Sequence, residues 1–380
     1  MEQLKPIFTT YLFDVKVITP VHVGIAQEKN YVRGLDYVLQ PNGQDATLMY
    51  LNQQALLKQL ANRPDELTGY SAKLAAAQPV DIENFLRNKK LLTDETIRRK
   101  IKVQGQPDEI RRVYQTGMGQ FTIPGSSLKG ALRSIIYASL KSRLGQNATE
   151  QQLFGQITDN LMRYLQVSDV TMKDESVEIY GTKVFSGDGD PRKEDGYGAW
   201  KHKGGHREDF KEKGFSFFYE AIKPYSRSTL SLRLPTDIPH SLRDHAYNYT
   251  PNFDILHKKS GDWLLTLIRA HTDGYLKKET AYYAKFPNAH LDVLKPIKNR
   301  LQELMDGNRQ TNSCLLRVGG GVGYHSITGD WQLKSQDHFS DWNQRDHAIA
   351  NKTRKFAYTF SEDENDYVFY PMGFVMLTLR

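Results

Sequence analysis

The chain has 380 residues, 39% of them hydrophobic and 25% charged, which suits a soluble globular protein of one large or two to three ordinary domains and excludes a disordered one. Lys plus Arg outnumber Asp plus Glu by 51 to 44, a net charge of +7 that by itself favours a polyanionic partner only weakly. A single cysteine, Cys314, excludes an intrachain disulfide and a cysteine-rich zinc site; no apolar run approaches the roughly 18 residues that span a bilayer, so the expectation is a cytoplasmic protein without membrane contact.

Residues 11–18, YLFDVKVI, alternate Phe13, Val15 and Val17 against Asp14 and Lys16, the pattern of a half-buried strand. LDYVLQ and ATLMYL flank Pro41-Asn42-Gly43-Gln44, and Asn-Gly between apolar runs signals a hairpin. From Asn52 to Asn62 the period turns helical on Leu56, Leu57 and Leu60. Helical and charged segments are expected to continue to about Gln115, with TIRRKIK and EIRRVYQ as solvated basic faces. A helix follows residues 121–125, with Leu128, Leu132, Ile135 and Ile136 as its apolar stripe. EQQLFGQITDNLMRYLQVSDVTM reads as a short helix and a strand around Tyr164–Val170.

Residues 187–214 are rich in glycine and charge and read as a long mobile loop or hairpin at a domain junction. FSFFYEAIKP and STLSLRLP then read as strands, DILHKKSGDWLLTLIRA and Asn288–Met305 as helices, and DYVFYPMGFVMLTLR as closing strands. Strands and helices do not alternate regularly, so the fold class is α+β with helices on antiparallel sheets, not a doubly wound parallel sheet.

Two elements carry phosphate-binding chemistry. In FTIPGSSLKGALRS (121–134), Pro124 and Gly125 turn the chain and Ser126 or Ser127 caps the helix, leaving its first N–H groups for an anion; Lys129 and Arg133 share a face. The stretch is equally an ordinary capped helix with two surface cations. It is not a Walker A loop, because Ala131 and Leu132 stand after Gly130 where Lys-Ser/Thr is needed. In LLRVGGGVGYHS, Gly319, Gly320, Gly321 and Gly323 follow an apolar strand, but Tyr324 replaces the last small residue of a dinucleotide fingerprint. These glycines make a tight turn or admit another backbone, and Arg317, Tyr324 and His325 supply charge, stacking and hydrogen bonding suited to RNA. His22, in ITPVHVG, has no serine or cysteine partner in sequence, and His202 and His206 sit among glycines and lysines, a poor metal site. No cofactor or metal is expected.

Together ITPVHVG, FTIPGSSLKGALRS, the LFG (153–155) and VSDV (167–170) pair, FYEAIKPYSRSTLSLRL, LLRVGGGVGYHS and YPMGFVMLTL resemble, in order, the RAMP superfamily of CRISPR-associated proteins. The length and the two glycine-rich elements look most like the fifth-subunit family of type III-A Csm effector complexes. That resemblance implies two tandem ferredoxin-like domains: residues 1–210, with a helical insertion at about 52–115 and the loop 187–214, and residues 211–380, with the glycine-rich loop. It implies a subunit capping the backbone filament and holding the 3′ side of the guide RNA (crRNA). Its implied partners are the adjacent backbone subunit, other Csm subunits and host nucleases that trim the crRNA.

On this reading the chain is no enzyme. Gly125, Ser126, Ser127, Lys129 and Arg133 contact RNA phosphates, Gly319, Gly320, Gly321 and Gly323 meet its backbone with Arg317 and His325 as RNA contacts, and His22 lies near the same surface. The rival within the superfamily is an endoribonuclease using His22 or Asp36, the latter being the one aspartate near the first loop; its bland alternative is strand-edge polarity.

Overall fold

In the computed structural model, which describes residues 7–25, 30–43, 45–145, 148–188, 197–201, 207–208, 216–236, 246, 248–284, 291–322, 354–361 and 365–380, the alternating first segment is a strand. β1 (Phe8–Val17) buries Phe13, Val15 and Val17 and turns Asp14 and Lys16 outward. β2 (Tyr31–Val32) is followed by the hairpin of β3 (Tyr37–Asn42) and β4 (Asp45–Leu51), whose turn uses Gly43 at φ +65°.

Asn52 then caps α1 (Gln53–Ala61), its side chain accepting from the Ala55 N–H. Leu56 and Leu60 face the core, whereas Leu57, read from sequence as part of the stripe, is 49% exposed. α2 (Pro64–Ala76) and α3 (Pro79–Asn88) each open on a proline, where its missing N–H costs nothing.

The helical expectation for 97–115 is overturned. Residues 97–104 form β5 (Ile97–Gln104), and 109–111 form β6 (Glu109–Arg111). In β5 the true period is two: Ile101 and Val103 point inward, while Arg98, Lys100 and Lys102 point to solvent. The dense cations masked that alternation.

β7 (Thr122–Ile123) leads into α4 (Gly125–Leu144), which buries Leu128, Leu132, Ile135 and Ile136 as expected. α5 (Glu150–Phe154) opens with a capping box on Thr149 and Gln152. The segment after it is a 3₁₀ turn, Leu161–Tyr164, and two short strands, β8 (Gln166–Val167) and β9 (Val170–Thr171), rather than one strand.

Next come β10 (Val177–Asp188), β11 (Tyr197–Lys201) and β12 (Arg207–Glu208). β10 and β11 pair antiparallel, and β11 pairs β12, the hairpin half of the expectation for 187–214; residues 189–196, 202–206 and 209–214, with His202 and His206, lie outside the described residues. The remainder of the chain contains β13 (Phe217–Ile222), β14 (Arg227–Pro235), α6 (Gly261–Ala284), α7 (Leu291–Gly307), β15 (Ser313–Arg317), β16 (Arg354–Ser361), β17 (Asp366–Pro371) and β18 (Phe374–Leu379).

The strands assemble into two large sheets, one three-stranded sheet and a two-stranded pair, an α+β arrangement. The first large sheet has the order β15-β18-β1-β14-β8, all antiparallel, with α4 and the start of α6 on its apolar face. The second runs β12-β11-β10-β13-β6-β2, with β16 beside β10 and β17 beside β16; β13 and β6 are parallel. Each draws strands from both sides of residue 210.

In the three-stranded sheet β3-β4-β5, β3 and β4 carry buried residues on both faces, while β5 is open to solvent on one. Tyr37, Leu39, Leu48 and Tyr50 face the second large sheet, while Val38, Met49 and Leu51 face α1 to α3. Residues 17–24 stitch these bodies together: Ile18 N–H donates to Phe374 O, Val21 bridges Ile222, His22 bridges Gly320, and Gly24 bridges Val113. His22 and the glycine loop lie at that crossing.

Candidate nucleic-acid interface

The α4 motif serves first to lock the fold. Pro124, not a serine, is the N-cap residue, and neither Ser126 nor Ser127 caps the helix. The Gly125 N–H instead donates to Asp169 Oδ1 at 2.6 Å, so a carboxylate from the VSDV segment already occupies the position expected for an anion. Gly125 is required by proximity: a Cβ there would stand 2.4 Å from the Val167 carbonyl oxygen.

The two flanking strands pair directly, Thr122 with Thr171 and Ile123 with Val170. IPG and VSDV are thus the halves of one knot. Arg133 is committed to the Glu150 carboxylate and lies 4.6 Å over the Phe154 ring. Lys129 is half-buried, and desolvation, then the neighbouring Arg133, lowers its pKa. Ser126 is exposed beside it.

The glycine loop leaves β15 and folds back onto His22. The Gly320 N–H donates to His22 O at 2.7 Å. Gly319 adopts φ +89°, and a Cβ on it would stand 2.3 Å from that same oxygen, so only glycine fits. Arg317 turns inward: its Nε donates to Met372 O at 3.0 Å, its Nη2 to Val322 O at 2.8 Å and its Nη1 to the Tyr275 hydroxyl. It ties the loop to the β17–β18 turn. Gly323, Tyr324 and His325 lie outside the described residues.

His22 is 4% exposed, and its Nδ1 stands 2.7 Å from Glu220 O. Its ring meets Tyr219 edge-on at 4.8 Å. Burial is the chief cause that pushes its pKa down to about 4; Arg111 and Lys355 push the same way, against the Glu220 carbonyl. His22 is therefore neutral at pH 7.

Those two cations are the residues that sequence reading passed over. The parallel pairing of β6 with β13 sets Arg111 beside Tyr219. Its guanidinium lies 5.1 Å from the Tyr219 centroid and 5.7 Å from that of Phe217. From the other side, Lys355 Nζ is 3.2 Å from the Tyr219 hydroxyl and 5.1 Å from the Phe217 centroid. Among the described residues neither cation has a carboxylate within 4.0 Å. Glu220, next to Tyr219 in sequence, points through the opposite face of β13, where it accepts from Tyr50 Oη, Arg99 and the Val113 N–H. Burial raises its pKa, with Arg99 the main opposing influence.

The signal for Arg111 was present in EIRR; its side chain is exposed, as that reading expected, and what the pairing with β13 adds is the Tyr219 ring beside it. A separate open groove of about 850 Å³ lies between β5 and β10. Arg98 and Lys102 line one wall, Asp174 and Glu178 the other, and Phe121 and Tyr358 also contribute, so its charge is mixed.

The candidates for cleavage chemistry are engaged in structure. Asp36 Oδ2 accepts the Val32 N–H at 2.8 Å and closes the turn before β3. Cys314 is buried and its thiol is pushed up to about 12, mainly by desolvation. Among the described residues no three His, Cys, Asp or Glu side chains are grouped to hold a metal ion. No described helix is long and apolar enough to cross a membrane.

The RAMP superfamily model matches residues 14–324. No curated protein matches the sequence. A chain in the cryo-EM structure of a Csm–crRNA–target RNA ternary complex of a type III-A CRISPR-Cas system shares the fold, at TM-score 0.61 and 15% identity, over 98% of this chain and 100% of that one. A chain in the cryo-EM structure of type III-B Cmr-beta bound to cognate target RNA matches at 12% identity over 67% of this chain and 55% of that one, with a TM-score of 0.25, too low to bear on the fold.

Proposed function

The chain belongs to the RAMP superfamily, and from that premise we propose that it is a guide-RNA-binding subunit of a type III CRISPR effector complex. In the finer reading it caps the backbone of a type III-A Csm assembly, holds the 3′ side of the crRNA and supports its maturation without cutting. Support comes from a fold that matches end to end a chain of a Csm–crRNA–target RNA complex. The two large sheets would then be the cores of tandem ferredoxin-like domains, interleaved because β1 lies between β14 and β18.

The observation that carries the RNA reading is the cation pair Arg111 and Lys355, set over Tyr219 and Phe217 with no carboxylate within reach among the described residues. Arg111 is exposed and Lys355 half-buried, so both charges can be reached and neutralised by an external anion. A phosphodiester provides that anion, and the aromatic rings offer a stacking surface. Such a grip positions RNA without reading its sequence, as a subunit accepting many guides requires.

The partners are crRNA, the adjacent backbone subunit, other Csm subunits and, for trimming, host nucleases. The test is co-purification of the assembled complex with small RNA. Arg111→Glu with Lys355→Glu should strip guide RNA of every sequence alike from an otherwise intact assembly. Guide retention equal to that of the unmodified complex would refute the assignment.

A further inference from the structure

His22 presents one hydrogen-bond acceptor to this site. The Glu220 carbonyl oxygen, 2.7 Å from Nδ1, can only accept, so the ring hydrogen of the neutral imidazole sits on Nδ1 and Nε2 carries the lone pair. Nε2 points towards Gly24, which is exposed; a Cβ built there would stand 3.1 Å from this nitrogen. Any side chain at position 24 would cover it. One ring organises the neighbourhood: His22 meets the edge of Tyr219 at 4.8 Å, Arg111 lies 5.1 Å from its centroid, and Lys355 binds its hydroxyl at 3.2 Å. An uncharged acceptor therefore adjoins a pair of cations.

In a single-stranded nucleic acid, the donor that sits beside a backbone phosphate is the ribose 2′-hydroxyl, which DNA lacks. We propose that Arg111 and Lys355 hold a backbone phosphate while His22 Nε2 accepts a hydrogen bond from the adjoining 2′-hydroxyl, making this point a ribose sensor that selects RNA over DNA whatever the bases. The inference rests on the RNA-binding function proposed above. An imidazole beside a 2′-hydroxyl is also the starting arrangement for strand cleavage. Here the ring's pKa, near 4, leaves a competent acceptor but a weak base at neutral pH, which favours recognition over catalysis.

The experiment measures equilibrium binding of the full chain to single strands of one sequence made as RNA, DNA and 2′-fluoro RNA, and to RNA of a scrambled sequence. The unmodified chain should bind both RNAs alike, and roughly threefold to tenfold more tightly than DNA or 2′-fluoro RNA, the worth of one net hydrogen bond. Gly24→Ala, at a backbone conformation open to any residue, and His22→Phe should each bring RNA down to the DNA level while leaving DNA binding unchanged. Equal affinity of the unmodified chain for RNA and DNA, or discrimination surviving in both variants, would overturn the ribose sensor and leave RNA binding standing. Failure to bind any of the strands would overturn the RNA-binding function itself. RNA cleavage that disappears in His22→Phe would overturn the sensor in favour of a catalytic imidazole.

Discussion

Replacing Asp169 separates a structural lock from a phosphate site. Its carboxylate accepts the Gly125 N–H at 2.6 Å at the first turn of α4. Asp169→Ala removes that cap, which costs about 1 kcal/mol, and with it a favourable charge at the positive end of the helix, worth roughly 0.3–1 kcal/mol. Asp169→Asn keeps an acceptor and loses only the charge, so it should cost about half as much. Urea unfolding at pH 7 measures both, with an unchanged slope if only the folded state is affected.

RNA binding gives the opposing reading its chance. Were the α4 terminus a phosphate site, Asp169 would repel the phosphate. At about 5 Å, even with the dielectric constant of water, that repulsion is about 0.8 kcal/mol, so its removal would tighten RNA binding about fourfold. The lock predicts lower stability and unaltered RNA affinity. Unaltered stability with fourfold tighter binding would refute it.

Two further outcomes follow from the same crossing. His22 takes up its proton near pH 6.5 in the unfolded chain but only near 4 in the folded one, so folding is favoured above 6.5 and that contribution, about 3 kcal/mol, disappears as pH falls from 6.5 to 4. Unfolding free energies measured across that window should fall less steeply with acid in His22→Phe than in the unmodified chain; parallel curves would show that the ring titrates normally. Gly319→Ala forces a Cβ to 2.3 Å from His22 O at φ +89° and should cost at least about 2 kcal/mol, whereas at Gly320, where a Cβ would meet nothing closer than His22 Cδ2 at 3.6 Å, alanine should cost under about 1 kcal/mol. Equal costs at the two positions would contradict this packing.

The proposed RNA contacts follow from which cations are already neutralised. Arg133 and Arg317, chosen from motif position, spend their guanidinium groups on Glu150 and on the Met372 and Val322 carbonyls. Arg111 and Lys355, which belong to no glycine motif, are the cations beside His22 that lack a carboxylate partner among the described residues. A cation's availability to a phosphate depends on what else has neutralised it, and that is a property of the folded neighbourhood.

Period and turn chemistry are local, and what they determine was legible. The alternation of β1, the Asn42-Gly43 hairpin and the stripe of α4 all read directly, because each rests on residues within a few positions of one another. The family motifs were legible too, as they are short and ordered. β5 was not, since its cations obscured the alternation of Ile101 and Val103 and its partner strand β4 comes three helices earlier in the chain. The roles inside the motifs were also beyond sequence. Only the tertiary structure sets Asp169 on the Gly125 N–H, and only it lays Gly320 against His22. Only strand pairing brings Arg111 to Tyr219, and from β16, on the far side of β10, Lys355 reaches the same ring. These contacts join residues far apart in the chain, and their burial and charge balance exist only once the sheets have closed around residues 17–24.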